Sequence, residues 1–209
     1  MPALWDLQQT DDLATIRTPA VRIVFRRSAD RWIHEIGPAD GPPIAASLES
    51  PADSPTPGVV LSPVYQEVQH HSFDDDDRRV RLLLTGLLAS HHFSAVLTVS
   101  VDDEGTTVDF DVADRCRDEV TSLAATYDVR LGPGELERAE PDSVVWSADR
   151  DGSDAGWSLS ASEQSRVSIA ERGPRSVQAQ ILATLAPKGV FTHRLRYGWR
   201  LATRSGLTR

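Results

Sequence analysis

Three arginines, Arg194, Arg196 and Arg200, recur at even spacing near the end of the chain, and Gly198 completes the series. In an extended strand, alternate residues face the same way and lie about 6.6 Å apart. Guanidinium groups in such a row repel one another unless carboxylates, an anion or a hydroxyl-rich ligand lies across them. Arg22 and Arg26 form a similar pair, as do Arg79 and Arg81. Glu67, Asp109 and Asp111 are carboxylates able to face such rows from neighbouring strands. Two readings stay open. One is a solvated face laced by cross-strand ion pairs, each worth under about 1 kcal/mol. The other is a ligand groove lined by Arg194, Arg196 and Arg200.

The paired histidines His70-His71 and His91-His92 raise the question of a metal. Adjacent strand residues point to opposite faces, so each pair offers one ligand per face. Glu67 and His71 share a face but stand about 13 Å apart along a strand. A tetrahedral zinc site would need three strands to converge, and no metal site is expected. His92 shares a polar face with Ser94 and Thr98, which makes it the histidine to meet solvent or ligand. His91 and His193 fall among apolar neighbours and are expected inside. The run Asp74 to Asp77 lacks the spaced ligands and glycine of a calcium loop and reads as a solvated turn. Cys116 is the single cysteine. It excludes an internal disulfide and reads as a small buried residue.

Trp32, Trp146, Trp157, Tyr197 and Trp199 sit at strand core positions, with Trp157 open to a second reading as a sugar-stacking platform. The chain has no Gly-x-Ser-x-Gly nucleophile elbow, no phosphate loop, no dinucleotide glycine fingerprint and no Cys-x-x-Cys. No cofactor is expected.

The elements that must position these groups are strands. Val21, Ile23 and Phe25 alternate with Arg22 and Arg26, and Trp32, His34 and Ile36 alternate with Arg31 and Glu35. Phe93, Ala95, Leu97, Val99 and Val101 alternate with Ser94, Thr98 and Ser100. After the turn Asp102 to Gly105, Val108, Phe110 and Val112 alternate with Asp109 and Asp111. A strand is expected over 120–131, then a stop at Gly132-Pro133-Gly134 and one helical turn over 135–140. Val144 and Trp146, Trp157 and Leu159, Val167 and Ile169, and the run Val177 to Leu185 continue the rhythm. Leu195, Tyr197, Trp199 and Leu201 form one face of the last strand. Between Gly37 and Gly58, six prolines (Pro38, Pro42, Pro43, Pro51, Pro55 and Pro57) predict a long surface loop. A single long strand is expected from Val59 to Phe73, with Pro63 marking an edge or a bulge.

The 209 residues are 40% hydrophobic and 25% charged, ordinary for a globular chain. Length and strand rhythm together predict one all-β domain over 1–209, a large antiparallel β-sandwich or supersandwich with long strands and little helix. The net charge of −9 disfavours nucleic acid and anionic membrane as partners. Of the 22 basic residues only Lys188 is lysine, which suits either a GC-rich genome or a need for guanidinium forks. No apolar run is long enough for a membrane span, and no secretory signal opens the chain, so a cytoplasmic location is expected.

The long hairpin Phe93 to Val112 and the arginine-lined strand Thr192 to Arg200 give the second half of the chain an order of elements that resembles the galactose-mutarotase-like supersandwich. The resemblance implies a sugar on the concave sheet face, with a histidine acid and a glutamate base. Only His92 and Glu67 are available for those roles, and neither sits in a family motif. The first expectation is therefore a non-catalytic binding or accessory module. Its arginine-bearing face, with His92, would take a carbohydrate, an anionic metabolite or a protein partner. The alternatives are a cofactor-free sugar epimerase or mutarotase using His92 and Glu67, and a structural homodimer joined through a sheet edge.

Overall fold

The alternating runs become strands because period two puts one set of side chains on a dry face and the other on a wet one. The computed structural model describes residues 3–50, 56–71, 76–130, 136–147, 155–162, 164–173, 175–185, 187 and 189–203. Among them, seventeen strands are found: β1 (Asp6–Gln9), β2 (Leu13–Arg17), β3 (Val21–Ser28), β4 (Arg31–Pro38), β5 (Ala45–Ser47), β6 (Val59–Val60), β7 (Glu67–His70), β8 (Arg79–Leu88), β9 (His91–Asp102), β10 (Gly105–Arg115), β11 (Ser122–Arg130), β12 (Leu136–Ala139), β13 (Ser143–Ser147), β14 (Ala155–Ala161), β15 (Ser165–Gly173), β16 (Ser176–Ala183) and β17 (Thr192–Thr203).

They form two sheets. One runs β1-β2-β3-β4-β5-β11-β16-β15, with β6 attached to β11; the other runs β12-β13-β14-β17-β10-β9-β8-β7. The β6–β11 pair is parallel, and the other strand pairs are antiparallel, giving a sandwich of long strands. The core draws on both sheets: Ile16, Ile23, Phe25 and Ile36 from the first, Leu82, Leu97, Phe110, Leu195 and Trp199 from the second. No helix in the described residues is long and apolar enough to cross a membrane.

Three local expectations change. The expected strand over 59–73 is two short strands, β6 in the first sheet and β7 on the edge of the second. The chain crosses between sheets from Leu61 to Gln66, and Pro63, which cannot donate to a ladder, lies in the crossing. Tyr65 O accepts the Trp32 N–H at 2.7 Å as the chain passes β4. The proline-rich stretch includes a strand, β5, over the proline-free residues after Pro43, and it bridges β4 and β11. In place of the helical turn over 135–140 stands β12, paired to β13 with a shift in register between Leu136 and Arg138. The expected stop at Gly132-Pro133-Gly134 lies outside the described residues.

A polar seam crosses the dry interior. His34 Nε2 of β4 lies 2.8 Å from the Tyr127 hydroxyl of β11, which lies 2.8 Å from the Tyr197 hydroxyl of β17. Burial pushes both phenols, and that of Tyr65, well above their usual range. Burial also lowers His34 to about 3, so the imidazole is neutral. Beside the seam, Glu49 Oε1 accepts the Ser47 hydroxyl at 2.6 Å, while Oε2 is buried with no hydrogen bond. Trp32, Trp146, Trp157 and Trp199 are all core residues, so Trp157 offers no exposed stacking platform.

Candidate ligand-binding site

The outward face of the eight-stranded sheet carries the polar half of each alternation. Register aligns these residues into rows. One row runs Ser160 on β14, Gly198 on β17, Asp109 on β10, Thr98 on β9 and Arg81 on β8. The next runs through Ser162, Arg196, Asp111 and Val96. These residues, together with Phe110 and Tyr197, line an open depression of about 600 Å³.

Asp109 stands at its centre. The Gly198 position directly opposite has no side chain, and a Cβ there would sit well inside van der Waals contact with Asp109 Oδ1. The missing side chain thus gives the carboxylate room to lie across β17. Asp109 makes no hydrogen bond or ion pair among the described residues. Burial raises its carboxyl above the usual range, with Arg200 pulling it back. The residue is nevertheless exposed, so its acceptors remain open to a ligand.

The arginine row is held by carboxylates. Arg194 Nη1 donates to Asp111 Oδ1 at 2.9 Å, and Arg196 Nε lies 3.1 Å from the same oxygen. Burial works to raise Asp111, but hydrogen bonds from Arg196 and Arg194 outweigh it and hold the carboxyl below its usual range. Arg200 takes Asp102 in a two-pronged grip, both contacts at 3.2 Å, and donates to Thr107 Oγ1 at 3.0 Å. Of the three, only Arg196 lines the depression.

Glu67 and His92 face outward on the same sheet. Glu67 aligns with Thr85 and Ser94, and His92 lies two residues from Ser94. Sheet spacing therefore sets the two residues about 12 Å apart. Glu67 Oε2 accepts from Thr85 Oγ1 at 3.0 Å and from Gln69 Nε2 at 3.4 Å. Neither Glu67 nor His92 lines the depression. Among the described residues, no three His, Cys, Asp or Glu side chains are placed to hold a metal. Ser160 and Ser162 escaped the sequence reading; the alternation of Trp157 and Leu159 was the available signal, since it turns Ser160 outward.

No family model matches the chain. No curated protein matches either. Among solved structures, a heparinase III, the BT4657 gene product, superposes with a TM-score of 0.57 at 10% identity, covering 97% of this chain and 36% of that one. A heparan sulfate lyase HepC mutant from Pedobacter heparinus gives 0.55 at 10% identity, covering 96% of this chain and 36% of the lyase. The chain thus spans about a third of the length of either lyase. HI1317 gives 0.45 at 8% identity, covering 94% of this chain and 99% of that one. At such identities the likeness is one of all-β fold alone. Of the expected resemblance only the all-β fold is supported; a galactose-mutarotase-like family is not shown.

Proposed function

We propose that this chain is a single-domain, non-catalytic binding or accessory module that takes a carbohydrate in the depression around Asp109. The supporting observation is Asp109 itself: an exposed carboxylate, centred over a glycine, with no protein partner among the described residues. Carboxylates accept from paired sugar hydroxyls, while Arg81 and Arg196 donate and Thr98, Ser160 and Ser162 do either. Two arginines face two aspartates in the depression, so its charges balance and favour a neutral, hydroxyl-rich ligand over a strong anion. A sugar is also in keeping with the names of the two lyases that share the fold.

The test is titration calorimetry against neutral, uronic and sulfated oligosaccharides, with Asp109→Asn and Arg194→Ala as paired variants. Loss of a charge-assisted hydrogen bond should weaken binding roughly tenfold to hundredfold in the Asp109 variant. Arg194→Ala should leave binding nearly unchanged. Failure of every saccharide to bind, or equal binding by the Asp109 variant, overturns the proposal.

A further inference from the structure

The lining of the Asp109 depression comes from strands that are consecutive neighbours in the sheet, in the order β14, β17, β10, β9 and β8. Four strand spacings of about 4.8 Å make the depression roughly 19 Å long across the strands. Along the strands it takes in two rows of outward side chains, about 6.6 Å apart. It is therefore some three times longer than it is wide.

The row through Asp109 stays low because its members are short. Ser160, Gly198 and Thr98 stand in it beside Asp109, and Arg81 ends it on β8. On β17, the residues two positions either side of Gly198 on its face are the long Arg196 and Arg200. Either could fall across the glycine, and a carboxylate holds each off. Arg196 Nε lies 3.1 Å from Asp111 Oδ1, directly opposite in its own row. Arg200 reaches toward the β9–β10 turn, where both contacts to Asp102 are 3.2 Å. The ion pairs keep a trench clear between them.

We infer, building on the carbohydrate reading of this site, that its ligand is a linear oligosaccharide several residues long that lies across the strands. An inner residue sits over Asp109 and Gly198. One end of the chain reaches the Ser160 hydroxyl on β14, and the other reaches the Arg81 guanidinium on β8. A single sugar ring over Asp109 would reach neither end.

The experiment is titration calorimetry of the full chain with cello-, malto- and galacturono-oligosaccharides, each from monosaccharide to hexasaccharide. In a series that binds, affinity should climb roughly twofold to tenfold with each added residue, the worth of a net hydrogen bond, and level off once the trench is filled. Ser160→Ala and Arg81→Gln alter the two ends. Each should weaken hexasaccharide binding several-fold and disaccharide binding much less. Ser94→Ala and Ser100→Ala lie on the same face along β9, outside the depression, and should leave every length unaffected. A hexasaccharide that binds no tighter than its monosaccharide overturns the linear ligand. A loss in the β9 variants with none at the two ends overturns the crosswise path. In both cases weakened binding by Asp109→Asn would leave the carbohydrate reading standing. Failure of every length in every series, or equal binding by Asp109→Asn, removes that reading and this inference together.

Discussion

Replacing Glu49 by glutamine tests whether the edge of the interior seam holds a protonated carboxyl. Burial raises Glu49 from 4.5 to about 7, with the Ser47 hydroxyl and Arg31 countering only in part. The unfolded chain releases this proton near 4.5, whereas the folded chain keeps it to about 7. Across that window the folded state binds more protons, so stability falls as pH rises. The whole displacement is worth roughly 3 kcal/mol. His34 works in the opposite sense. Burial lowers it from 6.5 to about 3, so the unfolded chain gains a proton on acidification before the folded one does. Its contribution is complete above 6.5 and is lost as pH falls toward 3. Between about 4.5 and 6.5 the two slopes oppose, and together they leave the wild-type profile nearly level. Glutamine cannot titrate, so Glu49→Gln should expose the His34 slope of about 1.4 kcal/mol per pH unit below 6.5. Urea unfolding of both proteins across this range, at fixed ionic strength, measures the difference. Asp30, Asp102, Asp109 and Asp111 are shifted in both proteins and cancel. The stability of the variant relative to wild type should grow by roughly 3 kcal/mol from acid to alkaline pH. Parallel profiles would refute the buried proton.

Two further substitutions separate packing from binding. Gly198→Ala places a methyl group against the end of the Asp109 side chain, which can swing aside. Thermal melts should show stability unchanged or raised by under about 1 kcal/mol, while saccharide titration should show binding weakened roughly tenfold. Tyr197→Phe removes one end of the hydroxyl seam and leaves Tyr127 its His34 partner, a cost of about 1 kcal/mol. Tyr127→Phe strands both His34 Nε2 and the Tyr197 hydroxyl and should cost roughly 2–4 kcal/mol in urea unfolding.

Alternation made the long strands legible. Leu195, Tyr197 and Trp199 on one side of β17, and Arg194, Arg196 and Arg200 on the other, follow from spacing alone. The burial of His91 and His193 was legible in the same way, and that of Cys116 from its residue type. What escaped depends on partners distant in the chain. β5 has three residues and no period to show; it exists because β4 and β11 offer ladders on both sides. β2 turns only Ala14 and Ile16 fully inward, too few to stand out. The composition of the depression needed the strand order β14-β17-β10-β9-β8, which no local pattern encodes. Asp111 meets Arg194 and Arg196 only because β10 and β17 are neighbours.

The same strand order explains why Asp109 and Gly198 are informative together. Glycine inside a central strand weakens it, contributing no side chain to pack and losing more backbone entropy than other residues. A carboxylate raised by burial and left without a hydrogen bond is unfavourable as well. Two adverse choices meet at one register position, in the middle of the eight-stranded sheet. Sequences tolerate such conflicts where function requires them. A purely structural solution was within reach. Arg196 lies one step along the same face, yet it spends its Nε on Asp111 at 3.1 Å, a carboxylate that already receives Arg194. The arrangement concentrates positive charge on Asp111 and leaves Asp109 open, which is what the proposed carbohydrate site requires.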